Sequence, residues 1–115
     1  MIQTSVFNEG RYPIVEAKIL KALTEFFGKK GVEGEVSVAV VGEATMYTLA
    51  KRYLGEKHTL HNVLTFRDAE KQGEFVAPGN YLGEIVLCYP IIADEKELLG
   101  LVLHGATHLL GHHHR

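Results

Sequence analysis

His104 and His108 stand four residues apart, and His114 follows beyond Gly111. Four residues turn an α-helix by about 400°, so on a helix the first two imidazoles share one face, a turn apart. Ring nitrogens placed in this way can grip a single metal ion. Gly111 ends such a helix and lets the chain turn back, which brings His114 to the same ion from another side. Three neutral nitrogen ligands suit one zinc ion in tetrahedral geometry, and a fourth position left open marks a catalytic site rather than a structural one. Zinc held in this way activates water and polarises a bound oxygen.

Five of the seven histidines fall within the last twelve residues. A pair four apart is by itself a common surface pattern, and a run such as His112-His113-His114 can bind metal incidentally at a chain end. The combination carries more: two histidines on one helical face, a glycine stop, then a third at turn-back distance. His112 and His113 compete with His114 for the third place.

The elements that must hold these residues can be read from periodicity. Thr4–Phe7 suits a short strand. Pro13 suits the first turn of a helix whose apolar positions, Ile14 to Phe27, recur at helical spacing, with Gly28 as its stop. Val36–Val41 is β-branched and reads as a central strand. A second helix is expected over Ala44–Tyr53, a loop over Gly55–Thr59, and a strand over Asn62–Phe66. A Gly-rich polar stretch from Arg67 to Asn80, with Pro78-Gly79-Asn80, reads as an irregular loop. Glu84–Tyr89 suits another strand, closed by Pro90. The last helix starts near Asp94, where Asp94, Glu95 and Glu97 complement the helix dipole. It carries His104 and His108 and stops at Gly111. The order β-α-β-α-β-β-α predicts an α/β (α+β) fold: a single domain over residues 1–115, with a mixed sheet of about four strands packed with helices.

Bulk properties narrow the classes. The chain has 115 residues, 46% of them hydrophobic, enough for one core. A net charge of -2 excludes a uniformly basic nucleic-acid binder, so a nucleic-acid substrate requires a local positive cleft. One cysteine, Cys88, rules out an intrachain disulfide and fits a reducing compartment. The start, Met1 to Ser5, lacks the basic and apolar regions of a signal peptide, and no stretch approaches a membrane span. A soluble, cytoplasmic protein is expected.

The run His104-Gly105-Ala106-Thr107-His108-Leu109-Leu110-Gly111-His112-His113-His114 resembles the H-G-x-x-H-L-x-G-x-D-H motif of the YbeY family of metal-dependent endoribonucleases, also called rRNA maturation factors. His61–Phe66 is similar to the family's T-N-V-L-S-F strand, and Leu82–Cys88 to its G-D-I-x-I-C strand. The blocks stand in family order. The resemblance implies an α/β fold, one zinc ion held by His104, His108 and His114, and cleavage of single-stranded RNA in ribosomal RNA processing. Ribosomal RNA or a ribosomal subunit is the implied partner.

The chain departs from the pattern near the implied substrate. The family's arginine before T-N-V-L-S-F has no counterpart in Tyr53–Leu60, which is one residue longer. His61 replaces threonine, Glu84 replaces aspartate, and His112 and His113 stand where tyrosine and aspartate are common. Arg52, Lys57 and Arg67 are the cations that could offset phosphate charge, and His61 and His58 could move a proton or touch phosphate. Each has a simpler reading as a solvated surface group. Glu84 could orient a metal ligand or act as an edge-strand charge. Cys88 reads as a core residue, and Tyr89 and Phe66 as core aromatics or base-stacking groups. Two rivals remain. A metallopeptidase helix, H-E-x-x-H, needs its general base where Gly105 stands. A non-catalytic RNA- or ribosome-binding module would use the metal only as a staple.

Overall fold

The structure is a computed structural model that describes residues 2–67 and 81–111. Four strands and three helices follow the predicted order: β1 (Ile2–Asn8), α1 (Glu16–Lys29), β2 (Gly34–Val41), α2 (Glu43–Leu54), β3 (Val63–Arg67), β4 (Tyr81–Cys88) and α3 (Glu95–Leu109). A 3₁₀ turn, Tyr89–Ile91, separates β4 from α3 and contains Pro90. The strands form one sheet in the order β1-β2-β4-β3. β1, β2 and β4 run parallel, and β3 pairs antiparallel with β4 at the edge. The sheet is therefore mixed, as expected, and the fold is α/β.

Both faces of the central strands are apolar because helices cover both, as parallel strands require. One face buries Val36, Val38, Val40, Ile85 and Leu87 against Ile19, Leu23 and Phe27 of α1 and Leu98, Val102, Ala106 and Leu109 of α3. The other buries Ala39, Val41, Val86 and Cys88 against Met46 of α2, with Phe66 of β3 alongside. Alternation along β3 follows from this. Phe66 faces α2, so Thr65 and Arg67 face α3, and Val63, two residues back, packs with the α1–α3 core. Removing a large side chain such as Phe27, which is fully buried, costs about 3–5 kcal/mol.

Boundaries shift for local reasons. α1 begins at Glu16 rather than at Pro13. Asn8 ties down the preceding bend through both ends of its amide, donating to the Tyr12 carbonyl at 2.8 Å and accepting from the Tyr12 amide at 2.9 Å. The Tyr12 ring then stacks on Tyr89, with centroids 4.6 Å apart. Pro13 follows this bend directly. At the other end α1 runs through Gly28 to Lys29, and the left-handed residue that turns the chain is Gly31. β4 starts at Tyr81, earlier than expected, because Tyr81 pairs with Glu35 of β2. The expected loop and turn between Arg67 and Asn80 lie largely outside the described residues. No helix among the described residues is long and apolar enough to cross a membrane.

Candidate metal centre and its surroundings

The last helix is held against the sheet by the absence of a side chain. A Cβ placed on Gly105 would lie 2.9 Å from Cγ2 of both Thr65 and Ile85. Glycine at this position lets α3 settle onto β3 and β4, which fixes the height of its neighbours. Asp94 starts the helix, its side chain accepting from the Glu97 amide at 2.8 Å. Glu97 returns the bond, accepting from the Ala93 amide at 2.7 Å, so the start resembles a capping box displaced by one residue. Gly111, with φ of 81°, follows the helix as expected.

Leu103 lines a groove with Ala22 and Phe26 of α1. A residue advances about 100° around the helix, so His104 and His108 turn away from α1, towards the side where Gly105 meets β3. Their Nε2 atoms lie 3.1 Å apart and their ring centroids 4.6 Å apart. His104 is exposed and His108 half-buried. Two nitrogens bound to one tetrahedral zinc at about 2.05 Å would stand about 3.3 Å apart, so the pair is already close to chelating geometry. Among the described residues no set of three His, Cys, Asp or Glu side chains converges on one point. His114, with His112 and His113, lies outside the described residues.

Arg67 reaches this end of α3. Its guanidinium atoms lie 3.5–3.6 Å from the position a Gly111 Cβ would take. A cation beside a helix C-terminus is favourable, and this one lies on the face of β3 that looks towards α3.

The other sequence candidates separate. Arg52 belongs to α2, the layer on the opposite face of the sheet, and its guanidinium lies 5.2 Å from the Tyr53 ring centroid. Lys57 and His58 are exposed in the loop between α2 and β3. His61 is half-buried, and its Nε2 lies 2.5 Å from Glu56 Oε1. Glu56 did not stand out in the sequence. Its role depends on a helix end meeting a strand start, which residue spacing alone does not reveal.

Glu84 alternates with Ile85, which packs with α3, so it shares the α2-facing side with Val86 and cannot orient a ligand on α3 from there. Nor is it an edge charge, since β4 lies between β2 and β3. Cys88 is a fully buried core residue. Burial pushes its thiol above the usual range, and the nearby Glu43 carboxylate adds to the shift. Phe66 is buried against Tyr53, with centroids 5.0 Å apart, and Tyr89 is engaged with Tyr12, so both aromatics serve packing.

Comparison with known proteins places the chain in a family. Residues 6–115 match the family described as Endoribonuclease YbeY. An Endoribonuclease YbeY from Halorhodospira halophila is 34% identical over 110 residues, covering 86% of this chain and 70% of the relative. One from Deinococcus radiodurans is 31% identical over 114 residues, covering 91% of this chain and 70% of the relative. A solution structure of a Thermotoga maritima protein superposes with a TM-score of 0.62 at 27% identity, covering all of this chain and 75% of that one. The chain belongs to the YbeY family of endoribonucleases, hydrolases that act on RNA phosphodiester bonds.

Proposed function

We propose that this endoribonuclease is zinc-dependent, cuts single-stranded RNA, and acts in the cytoplasm in ribosomal RNA maturation, on ribosomal RNA or a ribosomal subunit. The observation that carries the metal dependence is the His104–His108 pair, with its Nε2 atoms 3.1 Å apart on the exposed flank of a helix anchored by Gly105.

His104, His108 and His114 would hold one ion. When bound, zinc supplies Lewis acidity towards a phosphoryl oxygen and a route to hydroxide near neutral pH. The chain supplies the rest. Gly105 fixes the height of α3, so the two imidazoles are presented without a further rearrangement. Arg67, at the C-terminal end of α3, offsets negative charge on an RNA phosphate that approaches the pair. Lys57, exposed in the loop before β3, adds a second cation towards the strand entering the site. Arg52 lies on the far layer and contributes to attraction at longer range. The net charge of -2 makes this local placement necessary. The exposed His104 flank beside the edge strand β3 supports the single-strand reading, since one phosphodiester can approach it closely.

The test is cleavage of a defined RNA, single-stranded and as a duplex, by zinc-loaded protein beside an identically purified His108→Ala variant. Cleavage of the single strand that disappears in the variant supports the proposal. Equal activity in both proteins would assign it to a contaminant, and none in either would favour a binding module.

A further inference from the structure

We propose that Glu56 and His61 form an acid–base dyad in which His61 protonates the leaving ribose oxygen and Glu56 orients the imidazole. The inference rests on the nuclease reading above and adds a proton donor to it.

Two rigid elements build the pair. α2 ends in a left-handed turn at Gly55, with φ of 71°. There the Gly55 amide donates to the Lys51 carbonyl at 3.2 Å and the Glu56 amide to the Ala50 carbonyl at 3.3 Å, which pins the Glu56 backbone to the helix end. His61 is pinned from the other side. The neighbouring Asn62 carbonyl accepts from the Cys88 amide at 3.0 Å, extending the β3–β4 ladder by one residue beyond Val63. The Glu56–His61 contact at 2.5 Å therefore closes a short loop between two fixed ends. His61 retains 27% and Glu56 36% of side-chain exposure, which leaves the imidazole within reach of a ligand while limiting its swing.

The position along β3 is the relevant one. Thr65 touches the Gly105 position and Val63 packs with the α1–α3 core. His61 lies two residues before β3, beyond a bend at Asn62. α3 runs from Leu109, near Gly83, past Gly105, near Thr65 and Ile85, and so its earlier turns head towards the start of β3. His104 lies one residue further in that direction. His61, just before β3, thus lies at the end of the strand towards which α3 leads from His108 to His104.

The contact geometry suits a donor. An ionised Glu56 can only accept, so His61 Nε2 carries a proton towards it, and Nδ1 is the nitrogen left to face substrate. As the phosphorus–oxygen bond to the leaving ribose breaks, its electron pair passes to the ribose oxygen, which takes the Nδ1 proton. Water forms the new bond to phosphorus. One of its protons remains on the phosphate product, and the other restores the imidazolium.

The test compares two substrates. RNA has a basic leaving oxygen that needs a proton; bis(p-nitrophenyl) phosphate releases a stable phenolate that does not. With wild-type zinc-loaded protein, His61→Ala and Glu56→Gln, the expected result is a loss of about 100-fold or more on RNA for His61→Ala, the scale of general acid catalysis. The loss should stay below about threefold on the aryl diester, with zinc content unchanged. Glu56→Gln should show the same substrate dependence to a smaller degree. Free imidazole should restore part of the RNA activity of His61→Ala, and this decides the matter if the wild type does not turn over the aryl diester. Unchanged RNA cleavage in His61→Ala would overturn the dyad while leaving the nuclease intact. An equal loss on both substrates would also overturn it. A wild type inactive on RNA would remove the nuclease reading, and the dyad with it.

Discussion

The Nε2 atoms of His104 and His108 lie 3.1 Å apart on the flank of α3 that faces away from α1. Two ring nitrogens this close suit a shared metal ion. A ligand that binds only the folded state stabilises it, by about 2.7 kcal/mol at a hundred times its dissociation constant. Zinc should therefore raise the melting temperature of the wild-type protein, and a chelator should reverse the gain. His108→Ala should show neither response. A melting temperature in the wild type that ignores both zinc and chelator would remove the metal centre.

Gly105→Ala sets two effects against each other. Alanine in a helix interior is favoured over glycine by about 1 kcal/mol. The new methyl, however, would meet Cγ2 of both Thr65 and Ile85 at 2.9 Å, and also Ile85 Cγ1 at 3.1 Å. Overpacking of this kind typically costs about 1–3 kcal/mol. Both neighbours are β-branched side chains on paired strands, with little room to yield. The clash should win, leaving a net destabilisation of up to about 2 kcal/mol in chemical denaturation. A variant as stable as the wild type would mean that α3 can lift off β3 without loss.

Glu9 stabilises a helix to which it does not belong. Gly42 precedes α2 with no side chain to cap it, and Glu9 accepts from the Gly42 amide at 2.9 Å and from the Thr45 hydroxyl at 2.5 Å. The Thr45 bond chiefly, and the Gly42 bond after it, hold the Glu9 carboxyl below its ordinary value of 4.5. A depressed folded-state value means that the ionised form stabilises the fold. That contribution is complete above pH 4.5 and is lost as pH falls through the depressed value. Glu9 is exposed, so solvent screening keeps the effect small. Glu9→Gln should melt slightly lower than wild type at pH 7, and the gap should close on acidification. A gap that persists at pH 2 would assign the loss to geometry rather than charge.

Periodic features were legible in the sequence, and contacts between distant segments were not. The seven elements and the placement of His104 and His108 follow from apolar spacing and the four-residue interval, both properties of a single segment. The start of α1 did not, because Pro13 is a helix starter only when the preceding bend is free, and Asn8 holds Tyr12 in a different course. The two readings of Glu84, orienting a metal ligand or an edge-strand charge, could not be decided for a similar reason. Its neighbours fix which face of the sheet it occupies only once α3 and α2 are known to cover opposite sides. Arg67 and Glu56 gain their interest from where other elements end, Gly111 after α3 and Gly55 after α2, and no spacing rule reports that.

Two glycines near helix ends should respond to the same substitution with opposite signs. Gly28 lies within α1, with no heavy atom within 4 Å of an added Cβ and no left-handed backbone. Alanine there restricts the unfolded chain and fits the helix, so Gly28→Ala should stabilise by about 0.5–1 kcal/mol. Gly55 also has open space around an added Cβ, but its φ is 71°. Space does not help there, because the strain lies between the new Cβ and its own backbone, at about 1–2 kcal/mol. Gly55→Ala should therefore destabilise by about that amount. Relaxing the strain would mean unwinding the end of α2 and releasing the Glu56 amide from the Ala50 carbonyl. Denaturant midpoints for both variants, read beside RNA cleavage, separate the cases. Gly28→Ala should leave cleavage unchanged, since α1 ends away from the histidine flank. Gly55→Ala should lower cleavage at temperatures where the protein remains folded, because it displaces Glu56. Full activity in a folded Gly55→Ala protein would show that the anchored end of α2 has no bearing on the reaction.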